Sequence, residues 1–271
     1  MPTGNYFVWN VDRVIFTIIE PIGVRWYSLF FLGGILFGSY LFGKMLEKEH
    51  KPSHLRDTGL YYLVIGTIIG ARLGHCIFYD PYDYFSQPLK ILQIWQGGLA
   101  SHGGYLGVII ALYLFCRRYK EMPFLWAADR VSIVAVLAGA FVRMGNFFNS
   151  EIVGKPSSVP WAVIFPQWDM VPRHPSQLYE ALGYGLVSAT LYSYYLNKKR
   201  HPRPGSVFAL ALVLAFSFRF FVELFKENQV PAMEDGMLIN MGQLLSIPFV
   251  LVGLVFYRLA TTKTLERPYK K

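Results

Sequence analysis

Charge and cysteine are both scarce in this chain. Only 16% of its 271 residues are Asp, Glu, Lys or Arg, and 54% are hydrophobic; a soluble domain carries about 25% charged residues. The mean hydropathy is +0.33. That balance excludes a soluble fold with a large core. The two cysteines, Cys76 and Cys116, both fall in apolar runs, which excludes a disulfide framework and a thiolate metal site. Aspartates do not gather in any span, so a bound divalent metal is not expected either. Acidic residues are the minority charge, 17 against 26 basic, for a net charge of +9. In a soluble protein that surplus would indicate nucleic acid. Here it sits in the loops between apolar runs, and no nucleic-acid partner is expected. Residues 1–20 also lack the basic start of a cleavable leader, so insertion is expected to rely on the spans themselves.

What the chain has in quantity is apolar sequence at membrane length. Runs near 20 residues recur, enough for the roughly 30 Å hydrocarbon layer. In that layer every backbone polar group must be satisfied internally, so spans are helices. The reading is an all-α integral membrane protein of about seven transmembrane helices, forming a single polytopic domain over 1–271. The spans are placed at about 26–44, 59–79, 97–117, from 124 into the stretch 142–154, 174–197, 206–225 and 237–257. Residues 5–20 are too mixed to span and suit a short interfacial segment. Residues 151–175, with five prolines, form an outer-face loop region. No internal repeat or low-complexity tract is present.

Lys and Arg set the expected orientation. One set of alternate loops (44–58, 117–122, 197–205 and the tail from 258) holds 16, and the other (1–24, 80–96, 151–175 and 226–236) holds five. The basic set belongs inside, so the N-terminus is expected outside and the C-terminus in the cytoplasm. With that topology the polar residues of six spans fall at one depth, toward the outer face. These are Arg25 and Tyr27, Arg72 and His75, His102, Arg143 with Asn146 and Asn149, His174 with Gln177 and Glu180, and Arg219 with Glu223. Asp129 and Arg130 lie toward the cytoplasm and read as a local charge pair or helix start. Snorkelling side chains would divide between both faces. A charge held inside the hydrocarbon region costs a few kcal/mol and marks a functional site.

The densest part of that layer is VRMGNFFNSEIVG, residues 142–154. Arg143, Asn146 and Asn149 recur every three residues and share one side of a helix. Glu151 follows, and Gly145 and Gly154 admit close approach by backbone or ligand. On these residues alone the stretch is either a polar helix end or an anion site. Arginines favour the second reading, because the planar guanidinium matches phosphate oxygens and stays charged when buried. Histidine adds a group that takes a proton near neutral pH.

Several of these stretches carry a resemblance. VRMGNFFNSEIVG, WQGGLASHGGYLG at 95–107, RHPSQLYEA at 173–181, VRWYSLFF at 24–31 and FRFFVELFK at 218–226 occur in the same order as motifs of the bacterial prolipoprotein diacylglyceryl transferases, and the chain resembles that family over nearly its whole length. The resemblance implies an enzyme of the bacterial cytoplasmic (inner) membrane, with its site toward the outer leaflet. It would move the diacylglyceryl group of phosphatidylglycerol onto the lipobox cysteine thiol of a preprolipoprotein, releasing glycerol 1-phosphate. No cofactor is implied. The expected partners are phosphatidylglycerol, the signal peptide and membrane lipids, with the chain acting as a monomer.

By the same resemblance Arg143 and Arg219 would hold the lipid phosphate and His102 would serve as base for the thiol. Asn146, Asn149, Glu151 and Glu223 would orient the headgroup or its loop. Tyr27 would line the pocket, and Gly103, Gly104 and Gly154 would admit lipid or backbone. Arg25 and Arg72 are headgroup contacts or membrane anchors, His75 reads as helix packing, and His174 as a cap or loop tie. Three departures from the family pattern stand out. Val142 replaces a common glycine, which predicts looser packing there. Lys226 replaces a common arginine and loses its fork. Asn228 and Gln229 replace a Pro-Asp pair. An anion or lipid transporter would instead place polar groups through the whole depth, and a metal-dependent headgroup transferase would cluster aspartates in a span; neither pattern is present.

Overall fold

The computed structural model describes residues 5–19, 22–94, 97–197, 203–227 and 239–262. The Asn228–Gln229 pair, the 237 start of the last expected span and most of the basic tail lie outside these.

The fold is mostly helical. Its long helices are α1 (Trp26–Lys48), α2 (His54–Phe78), α4 (Ser101–Arg118), α5 (Phe124–Phe148), α6 (Ser176–Leu196), α7 (Ser206–Val222) and α8 (Met241–Thr261), with a short α3 (Pro81–Ser86) after α2. Among the described residues five helices are long and apolar enough to cross a membrane: α1, α2, α5, α7 with its 3-10 continuation to Phe225, and α8. Many of their large side chains face outward, among them Leu36, Ile65, Ile69 and Leu254. An apolar exterior of this extent is stable only against lipid. The chain is therefore a multi-pass membrane protein.

Short strands accompany the helices. In the N-terminal segment β2 (Val14–Ile19) pairs antiparallel with β3 (Ile22–Arg25), while β1 (Phe7–Val8) joins β4 (Val163–Ile164) and β5 (Pro172–Arg173) of the 151–175 loop region. β1, β4 and β5 are two residues each, too short for a periodic signal, so their pairing was not readable in the sequence. They cover a small apolar core of Phe147, Val153, Val163 and Phe165, with Trp9, Phe148 and Leu178 against it.

Two compact units form. One holds residues 41–128 and the other residues 1–40 with 129–271. In the 41–128 unit α2 and α4 meet through small residues. Gly66, Gly70 and Gly74 on α2 recur every four residues and face Gly103, Gly107 and Ala111 on α4; a Cβ at Gly70 would lie 2.7 Å from Gly107 Cα, and one at Gly74 would lie 2.7 Å from Gly103 Cα. Backbone contact of this kind is how helices associate where lipid removes the hydrophobic drive.

In the larger unit Gly34 admits Phe141, so α1 lies close along α5, while Phe216 of α7 stacks on Phe249 of α8 with centroids 4.3 Å apart. Asp129 caps a helix distant in sequence: its carboxylate accepts hydrogen bonds from Gly205 N and Phe208 N, both at 2.8 Å, at the start of α7. An anion there complements the helix dipole. Arg130 lies 3.7 Å from the same carboxylate, so this is the local charge pair expected, with a capping role added.

Candidate active site

The end of α5 is shaped by its last turn. Ser150 takes a left-handed φ of 53°. Its N–H reaches Phe147 O, and Glu151 N–H reaches Asn146 O. That is a Schellman stop with serine where glycine is usual. Ile152 also has a positive φ, 54°, which a β-branched residue adopts only when its surroundings impose it. They do: Ser176 Oγ donates to Ile152 O at 3.0 Å, and Gln177 Nε2 donates to Glu151 O at 2.6 Å. The start of α6 therefore holds the chain in its turn, and the turn aims Glu151 back over the helix end.

Four side chains of the 142–154 stretch then join. Arg143 Nη1 donates to Asn146 Oδ1 at 3.2 Å, Asn146 Nδ2 to Glu151 Oε2 at 3.3 Å, and Asn149 Nδ2 to Glu151 Oε1 at 3.2 Å. The three-residue spacing seen in the sequence thus does place them on one side. Glu151 is the hub that orients both asparagine amides. Asn149 Oδ1 and Gln177 Oε1 are buried without a hydrogen-bond partner among the described residues.

A second set of charges meets the first. Arg143 Nε lies 3.2 Å from Glu180 Oε2, an ion pair outside hydrogen-bond angles. Lys226 Nζ lies 3.7 Å from the same oxygen and 2.7 Å from Glu223 Oε1. Arg219 Nη2 lies 3.6 Å from Glu223 Oε1. The order Arg143, Glu180, Lys226, Glu223, Arg219 is a continuous ladder of alternating charge across α5, α6 and α7. With Glu151, three carboxylates face three cations. Arg219 is the most open rung, its side chain 29% exposed against 3% for Lys226. Such a ladder can hold an anion at its arginine ends while its carboxylates fix where those ends stand.

Glycines let these elements approach. A Cβ at Gly145 would lie 2.9 Å from Tyr27 Cδ2, so Gly145 receives the first turn of α1 and places Tyr27 beside the Arg143 turn. A Cβ at Gly154 would lie 2.7 Å from Phe225 O. Both glycines serve backbone approach. Gly242 faces the Glu223 carboxylate, and Asn240, which caps α8 in a capping box with Gln243, donates to Glu223 O at 3.2 Å.

Beside the ladder Arg173 ties the 151–175 loop region. It reaches Asp169, Gly154 O at 3.1 Å and Glu227 at 2.6 Å. The Arg173 hydrogen bond holds the Asp169 carboxyl below the usual carboxylate range. His174 shares a 3.1 Å hydrogen bond between Nδ1 and Tyr179 OH and stands edge-on to Phe225, and burial pushes its pKa down. It is a loop tie, as expected from the sequence.

His102, Gly103 and Gly104 stand in the 41–128 unit. His102 opens α4, and its Nε2 shares a 3.2 Å hydrogen bond with Tyr79 OH under a stacked ring. Gly103 is filled by the α2 backbone, whereas a Cβ at Gly104 would meet only ordinary contacts, the nearest at 3.6 Å. His75 stacks on Tyr79 and is packing, as read. Arg72 departs from both expectations. It is neither anchor nor headgroup contact but a buried hub donating to the carbonyls of Lys90, Ile91, Gln93, Gly97 and Gly98. Those carbonyls run from a 3-10 turn at Pro88–Leu92 to Gly98, and the fork of one arginine gathers them.

Sequence reasoning collected Glu180 and Gln177 with the outer layer but gave them no role. The ladder makes Glu180 the link between Arg143 and Lys226, and Gln177 the clamp on the Glu151 turn. The one available signal was their i, i+3 spacing at the start of a span.

The chain matches the family model described as prolipoprotein diacylglyceryl transferase over residues 13–259. It is 44% identical to a phosphatidylglycerol–prolipoprotein diacylglyceryl transferase of Tolumonas auensis over 93% of this chain and 96% of that one. Identity to the protein of the same name from Chloroherpeton thalassium is 42%, covering 94% of each. For that of Bacteroides fragilis it is 41%, covering 92% of this chain and 93% of the relative.

Proposed function

This chain belongs to the prolipoprotein diacylglyceryl transferase family, and from that membership and its charge ladder we propose that it transfers the diacylglyceryl group of phosphatidylglycerol to the lipobox cysteine thiol of a prolipoprotein. This is the first step of bacterial lipoprotein maturation. The cysteine sulfur attacks the glyceryl carbon that carries the phosphate. A carbon–sulfur bond forms, the carbon–oxygen bond to phosphate breaks with its electron pair leaving on oxygen, and glycerol 1-phosphate departs.

The ladder carries this reading. The leaving phosphate gains charge as the carbon–oxygen bond breaks, so fixed cations at that oxygen stabilise the transition state more than the ground state. Arg143 and Arg219, at the two ends, take that role. Asn146, Asn149 and Glu151 hold Arg143 in orientation, Glu223 stands beside Arg219 as a counter-ion, and Tyr27 and Gly154 shape the surroundings. A thiol reacts as thiolate and loses its proton with a pKa near 8.5. His102, at the exposed start of α4 with Tyr79 on its ring nitrogen, is the candidate to take it.

In the same reading the seven long helices all cross the bacterial inner membrane, the N-terminus lies outside, and the site faces the outer leaflet. The 16-to-five partition of Lys and Arg between alternate loops supports that orientation. Purified protein mixed with phosphatidylglycerol vesicles and a lipobox peptide is expected to yield the thioether-linked diacylglyceryl peptide, detected by mass. His102→Gln and Arg143→Ala are each expected to lower the rate at least about 100-fold. Full activity in either variant would overturn the assignment of that residue.

A further inference from the structure

Lys226 is the best-buried cation of the ladder. Its backbone is pinned on both sides. Lys155 N donates to Phe225 O at 2.8 Å and Glu227 N to Val153 O at 3.2 Å, with a bridge between Gly154 and Lys226 themselves. The Cα of Lys226 is thereby fixed, and the stem delivers Nζ between two carboxylates, 2.7 Å from Glu223 and 3.7 Å from Glu180. Glu223 Oε1 has two cations to choose from. Lys226 holds it at hydrogen-bond distance, and Arg219 remains at 3.6 Å.

A carboxylate in a poorly solvated place takes its nearest cation as counter-ion, and without one it draws in the next. Arg219 is one helical turn from Glu223 and its side chain is 29% exposed, so it can close that gap by a side-chain rotation. We propose that Lys226 is a positioning residue that claims Glu223 and so keeps the Arg219 guanidinium available to an anionic lipid phosphate. This rests on the reading of Arg219 as a phosphate ligand. Lys226 itself does not touch the lipid. It works through competition for one oxygen.

The test is the affinity of the full-length protein in detergent for phosphatidylglycerol, read by native mass spectrometry on the folded fraction, beside thioether formation by the unaltered protein. Lys226→Met frees Glu223 to capture Arg219, and the dissociation constant is expected to rise at least about tenfold. Lys226→Met combined with Glu223→Gln removes the captor together with the claimant, and affinity is expected to recover at least about threefold from that of Lys226→Met. Lys226→Arg keeps the claim and is expected to stay within about threefold. A Lys226→Met affinity within about twofold of the starting protein overturns the proposal, as does a double variant no tighter than the single or a Lys226→Arg protein as weak as Lys226→Met. Merely structural support would lower the melting temperature of Lys226→Met without moving affinity, which also counts against it. Should the unaltered protein bind the lipid but form no thioether, the transferase reading fails while the affinities still decide the role of Lys226.

Discussion

Arg143 Nε faces Glu180 Oε2 at 3.2 Å, across the gap between α5 and α6, with the Glu180 side chain wholly buried. Glu180 Oε1 also accepts from Tyr184 OH at 3.3 Å. An arginine that needs only to reach the membrane surface would not be given a buried carboxylate. The pair fixes one edge of the guanidinium and leaves its orientation set by two helices at once.

Removing that carboxylate leaves Arg143 and Lys226 buried without it. Glu180→Ala is expected to destabilise the protein by about 1–3 kcal/mol, less than the about 3–5 kcal/mol of a fully stranded buried charge, because Lys226 keeps Glu223 and Arg143 keeps Asn146. Unfolding in mixed micelles under increasing denaturant measures it. A change under about 1 kcal/mol would show that the ladder does not contribute to stability through this rung.

Adjacent glycines at the start of α4 are expected to differ sharply. Gly103→Ala drives a methyl into the Gly70 carbonyl and must separate α2 from α4, whereas Gly104→Ala meets only ordinary contacts. The first is expected to lose about 2 kcal/mol or more, in the range of overpacking, and the second to stay within about 0.5 kcal/mol. Melting temperatures of the two purified variants decide it; equal values would refute the packing assigned to this pair of helices.

Arg72 carries five backbone carbonyls on one fork. Lysine has three donors around a point and cannot span them. Arg72→Lys is therefore expected to cost about 2–4 kcal/mol, since hydrogen bonds to a charged group contribute about 1.5–3 kcal/mol each. It should also open residues 88–94 to proteolysis. Unchanged cleavage in that segment would count against the hub.

The Asp169–Arg173 tie makes a pH prediction. The folded-state pKa of Asp169 lies below its ordinary value because Arg173 donates to the carboxylate. Its contribution is therefore fully present above the unfolded pKa of about 3.9 and is lost as pH falls through the lower folded value. Asp169→Asn is expected to melt below the unaltered protein at pH 7, with the gap narrowing below about pH 4. A gap that stays constant from neutral to pH 3 would contradict this sign.

Composition and run length by themselves determined that the chain lives in a membrane as helices, because hydrophobic length is a property of consecutive residues. Spacing determined that Arg143, Asn146 and Asn149 share a side, because the helical period is local. Both Glu180 and Lys226 could be seen as polar or departing residues, but their partnership spans residues 46 apart in the chain, and no local period reports such a distance. Only the tertiary structure decided that Lys226 chooses Glu223 over Glu180, that Arg72 serves a loop rather than a headgroup, and that Gly103 and Gly154 admit backbone. Each of those is a choice between partners brought by different elements, and it is made by which atom arrives within about 3 Å first. The stretch 142–154 shows both sides of this. Its sequence contained the arginine, the amides and the stop, while the α6 residues Ser176 and Gln177 supplied the contacts that hold Ile152 in a left-handed turn and aim Glu151 at its partners.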